Sequence, residues 1–249
     1  MRRDEWWPNL RLQAEDQHGL ITAAQGRLAG ATRRQLADLI EQGTLTRLQH
    51  GIYQLTGTPS DEWTGVRTAW LALAPERSAP ERLAAPDPEG VVSHRSAAQL
   101  LGLGDLDADR IEFVASTRRR PRNPDVVVHQ AQVRSGDWIV EHGLPVTTPV
   151  VTVAALADSG VDREHLAVVA RDAVWRRDVP VTSLAAALDR CAAGYGFDDG
   201  TALIDELIAL AGVPQSSIDL AAHATGGDRA RSSPPAGPGR FRAMIADPP

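Results

Sequence analysis

Apolar residues at Leu36, Leu39 and Ile40 recur at the i, i+3, i+4 spacing of one helix face. Past Gly43 that pattern gives way to two short runs of β-type residues within 44–55, parted by a turn ending in Gly51. Upstream, Thr22-Ala-Ala-Gln25 and Thr32-Arg-Arg-Gln35 both have capping-box spacing. In each, the Thr hydroxyl accepts the N3 amide while the Gln reaches back to the cap. These signals predict a helix up to about Ala29 stopped by Gly30, and a second helix from Arg33 to Gln42 stopped by a left-handed Gly43. With a preceding helix from about Leu10 to Gln17, ended by Gly19, the order is helix, helix, helix, hairpin. That is the plan of a winged helix-turn-helix.

The same reading extends downstream. Val66, Ala69, Trp70 and Leu73 follow helical spacing, with Ser60 placed as a cap. The stretch 75–90 holds four prolines and few β-branched residues, which suits a linker. Beyond it Val91-Val92 is a strand stub, Ser93 a cap, and Ala97, Leu100 and Leu101 the apolar side of a helix ending at Gly102. Strands are expected over 111–114 and 126–129, with an Arg-rich hairpin tip between them, and over 144–147. Thr148-Pro149 starts a helix, since Pro is at home in the first helical position. Further helices are expected over 162–177, 182–192 and 201–211. The predicted fold class is α+β, an N-terminal winged helix-turn-helix followed by a mixed α/β domain of a small sheet with packed helices. The expected division is 1–60 for the winged helix, 61–90 for a connecting helix and Pro-rich linker, 91–222 for the second domain, and 223–249 for a disordered tail that has no periodic apolar face. No fixed-period repeat suggests a solenoid or propeller.

Composition narrows the function classes. All 26 basic residues are Arg, and the net charge of -6 is opposite to that of a protein coated in phosphate contacts. Distribution therefore matters more than the total: residues 1–60 hold seven Arg against six acids, and 110–134 hold six Arg against Glu112 and Asp125. No run approaches the roughly 18 apolar residues of a membrane span, and the start has no signal-peptide h-region. A cytoplasmic protein with no membrane partner is expected. The single cysteine, Cys191, forms no intrachain disulfide and reads as core.

The candidate chemistry is recognition of double-stranded DNA. In a helix-turn-helix the start of the second motif helix meets base edges in the major groove, which places Thr32, Arg33, Arg34 and Gln35 there. Arg pairs with guanine and Gln with adenine. Arg47, Gln49 and His50 belong to the wing and are assigned to phosphates or the minor groove. The macrodipole disfavours cations at a helix start, so Arg33 and Arg34 together, with no acid in the first turn, point to a use. Arg118, Arg119, Arg120 and Arg122 are either a solvated tip or a secondary contact to DNA or a protein partner. Catalysis is not expected. Ser93-His94 lacks a nucleophile elbow, Gly102-Leu-Gly104 lacks a third glycine, and His129, His142 and His165 lack metal-ligand spacing. No cofactor or metal is assigned.

Gly19-Leu-Ile-Thr22, Gly43-Thr-Leu-Thr-Arg-Leu48 and Gly51-Ile-Tyr53 resemble the N-terminal domain of AbiEi-type antitoxins from type IV toxin-antitoxin systems. Val91-Val-Ser-His-Arg-Ser-Ala-Ala-Gln-Leu-Leu-Gly-Leu103 and Gly143-Leu-Pro-Val-Thr-Thr-Pro149 look like the antitoxin domain of that family. The resemblance covers roughly residues 10–190. It implies an autorepressor that binds inverted repeats in its own promoter, and a second domain that neutralises a nucleotidyltransferase-type toxin. This chain departs from the family pattern at Gln49-His50, where relatives often carry a further Arg, at the apolar Val150-Val151, and throughout the tail after Ala222. Two other readings stay open: a stand-alone regulator with an effector-sensing second domain, and an enzyme, against which the lack of Lys and the scattered acids count.

Overall fold

The computed structural model describes residues 3–212, so the expected tail and the last residues of the second domain lie outside it. Helix α1 (Arg3–Glu15) starts earlier than Leu10 because Trp6, Leu10 and Ala14 form one buried stripe at i, i+4 spacing. They pack on Ile21, Leu36, Leu39 and Leu45. Strand β1 (Leu20–Thr22) comes next, then α2 (Ala23–Ala29) and α3 (Arg33–Glu41). Both capping boxes form: the Gln25 amide donates to Thr22 Oγ1 at 3.0 Å and the Gln35 amide to Thr32 Oγ1 at 3.2 Å, with each Gln carboxamide accepting the Thr backbone N–H. Gly30 (φ 102°) and Gly43 (φ 68°) take the left-handed conformations that end the two helices. Strands β2 (Leu45–Gln49) and β3 (Ile52–Leu55) complete an antiparallel sheet of order β1-β3-β2. This is a winged helix-turn-helix.

Helix α4 (Thr64–Leu73) is capped differently from expectation. Asp61 Oδ1 accepts from the Trp63 amide at 3.0 Å and the Thr64 hydroxyl at 3.1 Å, while Ser60 donates to Gln54 Oε1. The stretch 75–90 is folded, with α5 (Ala79–Leu83) opened by a Ser78/Glu81 capping box. Arg82 is fully buried there, donating to the carbonyls of Trp70, Pro88 and Glu89 and lying 3.9 Å over the Trp70 ring. Composition alone reads such a stretch as a linker; a buried cation satisfied by three carbonyls makes it structure.

The second sheet contains β4 (Val91–Val92), β5 (Ile111–Ala115), β6 (Val126–Gln130), β7 (Trp138–Glu141) and β8 (Leu144–Thr147), with α6 (His94–Leu101) between β4 and β5. Its order is β6-β5-β4-β8-β7. β4 runs antiparallel to β5 and parallel to β8, and β7 is antiparallel to β8. β5 and β6 are parallel, which corrects the expected hairpin between them. Parallel neighbours need a connection that returns along the sheet, so 116–125 is a crossover loop and not a tip. Ser93 sits at the N-cap of α6 without capping it; Glu112 Oε2 on β5 accepts the Arg95 amide at 2.9 Å instead.

Helices α7 (Pro149–Asp158), α8 (Arg163–Arg177), α9 (Val181–Leu188), a 3-10 turn over Asp189–Tyr195 and α10 (Gly200–Leu210) complete the described chain. Their buried residues include Leu156, Leu166, Leu184, Leu203 and Leu207. None of the described helices is long and apolar enough to cross a membrane.

The described residues fall in one compact unit. Polar contacts tie the winged helix to residues 75–79: Gln25 Nε2 donates to Arg77 O at 3.0 Å, the Ala79 amide to Gln17 Oε1 at 3.1 Å, and the Thr22 hydroxyl to Pro75 O. Buried Arg67 bridges Asp61 Oδ1 at 2.6 Å and the His142 carbonyl in the β7–β8 turn.

Candidate nucleic-acid interface

The start of α3 presents its side chains in two classes. Thr32 and Gln35 are engaged with each other: Thr32 Oγ1 donates to Gln35 Oε1 at 3.0 Å, and the same carboxamide oxygen accepts the Thr32 amide at 2.8 Å. A bidentate adenine contact needs that oxygen and the adjacent NH2 together, so in this geometry both residues build the helix start. Arg33 and Arg34, in the first two helical positions, are exposed and join no ion pair among the described residues. Leu36 and Leu39 turn inward and hold the Arg pair outward. At the far end of the helix Arg3 donates to Gln42 Oε1 at 2.9 Å.

On the wing, Arg47 and His50 are exposed and adjacent. Arg47 Nη2 lies 3.2 Å from His50 Nδ1, and its Nε donates to Gln49 O at 3.3 Å. Gln49 is half-buried and turns the other way, giving its carboxamide N–H to the Thr68 carbonyl of α4 at 3.4 Å. The structure thus places Gln49 as a tether of the wing and leaves Arg47 and His50 on its surface.

The crossover loop brings the second Arg cluster to this region. Arg119 is anchored, donating to Leu73 O at 2.8 Å and pairing with Glu89 at 3.5 Å. Arg118, Arg120 and Arg122 are at the surface. A cleft of about 670 Å³ separates Gln49 and His50 at the wing from Arg120 and Arg122, with Arg27 of α2 also on its wall. Arg27 is itself 3.7 Å from Glu76, an exposed pair that gives little net attraction. Sequence reading misses both Arg27 and the approach of the two clusters. A signal for the second exists only in three dimensions, since it arises from the parallel β5–β6 pairing.

Elsewhere His94, Glu112 and His129 gather on one side of the second sheet. The two rings stack at 3.9 Å between centroids, and His129 Nε2 lies 3.2 Å from Glu112 Oε1. His94 is left-handed at φ 51° and its Nδ1 is 2.9 Å from the buried Ser93 hydroxyl, which is no exposed nucleophile. Burial, then the neighbouring His129, hold the His94 pKa below its ordinary value. His142 stacks on Trp63 and His165 pairs with Asp162 in the first turn of α8, so neither joins the group. Cys191 is buried, and that burial pushes its thiol pKa up.

Residues 11–56, which span the end of α1 through β3, match the family model described as transcriptional regulator, AbiEi antitoxin. The match covers the winged helix from the last turns of α1 onward and ends before α4. No curated protein matches the chain at a significant level.

Proposed function

We propose, from the match of residues 11–56 to the family model described as transcriptional regulator, AbiEi antitoxin, that the chain is a DNA-binding antitoxin that represses its own promoter. The observation that carries this reading is the pair of exposed guanidinium groups, Arg33 and Arg34, at the capped start of the recognition helix. Each side chain reaches guanine O6 and N7 in the major groove. Arg47 and His50 hold backbone phosphates at the wing, and Arg120 and Arg122 lengthen the phosphate track across the cleft. The site is inverted repeats in the promoter, and the second domain neutralises a nucleotidyltransferase-type toxin in the cytoplasm. The chain acts by binding and carries out no reaction of its own.

The test has two arms. Fluorescence anisotropy on the upstream region, with a shuffled duplex as control, is expected to give specific binding that weakens steeply with salt. Co-expression with the adjacent reading frame is expected to rescue growth from that frame's toxicity. Absence of sequence preference at any salt would overturn the repressor reading.

A second reading has one observation in its favour. A cleft of about 640 Å³ beside the second sheet, lined by Ser93, His94, His129 and Arg190 among others, has the size of a small-ligand site. A stand-alone regulator would bind its effector there. Specific DNA binding without growth rescue, and released by a small molecule, would select this reading over the antitoxin.

A further inference from the structure

Three potential metal ligands reach one point from three segments of the second sheet. Glu112 lies on β5 opposite Val127 of the parallel strand β6, and His129 is two residues beyond Val127, hence on the same face. His94 arrives from the neighbour of β5 opposite to β6, at the junction of β4 and α6, where the Ser93 amide donates to the Glu112 carbonyl at 2.9 Å. One ligand atom from each of the three lies within 4.8 Å of the other two.

The distances suit a small ion. Bonds of about 2.0 to 2.2 Å in a tetrahedral zinc site put neighbouring ligand atoms about 3.3 to 3.6 Å apart. His129 Nε2 and Glu112 Oε1, at 3.2 Å, are close to that edge already, and binding turns the His129 ring out of its 3.9 Å stack on His94, because each imidazole lone pair lies in its ring plane and both planes must contain the ion. The ligands are also held from outside. Glu112 Oε2 is occupied by the Arg95 amide, which leaves Oε1 for the ion, and Ser93 holds His94 Nδ1, which leaves Nε2. Outer hydrogen bonds of this kind orient ligands in metal sites.

The geometry points to a three-ligand site for one divalent transition-metal ion of the zinc class, formed by His94, Glu112 and His129, with a further coordination position open to the adjoining cleft. Two imidazoles with one carboxylate favour such an ion over Mg²⁺ or Ca²⁺, which take all-oxygen shells. Both His rings line the cleft and Glu112 does not, so the vacant position faces solvent and a small anionic or neutral ligand. The inference needs neither the winged helix nor an operator, and it fails or stands separately from the DNA-binding reading.

The test uses the full chain, tag-free and stripped with chelator. Zn²⁺ is titrated in competition with a chromogenic chelator, and Co²⁺ is added separately to read its visible absorption. Expected are one tight equivalent and the intense band of four-coordinate Co²⁺. Glu112→Gln keeps an acceptor for the Arg95 amide, and with His129→Ala is expected to weaken Zn²⁺ binding by about 100-fold or more. His142→Ala and His165→Ala are expected to leave the equivalent intact. Circular dichroism separates ligand loss from unfolding. No saturable equivalent, no Co²⁺ band, or an equivalent that survives in folded Glu112→Gln and His129→Ala would overturn the site.

Discussion

Replacing Arg33 and Arg34 together by Ala is expected to weaken operator binding and to raise the stability of the free protein. The two effects have separate causes in the same helix turn. Thr32 and Gln35 cap α3 without help from either Arg, so the helix start survives the change. Both guanidinium groups lie at the positive end of the helix, where a cation costs about 0.3 to 1 kcal/mol when exposed. Ala is also the better helix former. A gain of about 1 kcal/mol for the double variant corresponds to a rise of about 2 to 4 °C in Tm for a chain of this size. Against DNA, two bidentate guanine contacts at about 2 kcal/mol each total about 4 kcal/mol, or about a 10³-fold loss of affinity. Anisotropy on a labelled operator at fixed salt reads the second effect, and differential scanning calorimetry without DNA reads the first. An operator affinity within about threefold of wild type refutes the recognition-helix assignment. A lowered Tm refutes the claim that the Arg pair is held against the helix dipole for the sake of a ligand.

Arg120→Ala with Arg122→Ala is expected to flatten the salt dependence of DNA binding by a slope of about 1.8, about 0.9 per phosphate contact, while sparing sequence preference. An unchanged slope would remove the crossover loop from the DNA track. Arg82→Ala leaves the carbonyls of Trp70, Pro88 and Glu89 without their donor and opens a cavity against Trp70, and is expected to cost about 3 to 5 kcal/mol in urea unfolding; burial pushes the Arg82 pKa down to about 9, which still leaves it charged at neutral pH. A loss under about 1 kcal/mol would contradict its role as the centre of the 75–90 fold. His18, beside Arg67, Asp61 and the β7–β8 turn, has a pKa held below 6.5 by burial and then by Arg67, with Asp61 opposing. Folding favours its neutral form, so the stability tied to it is complete above 6.5 and lost as pH falls below that value toward the folded pKa. His18→Asn, which tolerates the φ of 59° at that position, is expected to lessen the acid-side fall in Tm. An identical pH profile in the variant would contradict this assignment.

The winged helix is legible in the local chain in nearly full detail. Capping boxes and left-handed glycines act over three or four residues, and the Leu36, Leu39, Ile40 stripe needs only one amphipathic face, so these signals are complete within a short window. β1 escapes such a reading because it runs straight into the Thr22 capping box, and β7 because Trp138, Ile139 and Val140 show no apolar–polar alternation and no buried position. The 75–90 stretch looks like a linker because its order comes from Arg82, whose partners lie on α4 and at the end of the stretch itself. Residue type puts Gln35 and Gln49 on the DNA side, but hydrogen bonds to Thr32 and Thr68 decide what each can reach. The parallel pairing of β5 with β6 belongs to the tertiary structure, since nothing within either strand states its direction relative to a neighbour. That one choice turns 116–125 from a hairpin tip into a crossover that reaches the wing cleft, and it sets His129 diagonal to Glu112 under His94. Local hydrogen bonds are specified by neighbours in sequence; long-range pairing depends on which buried faces meet, and no short window of the chain contains both.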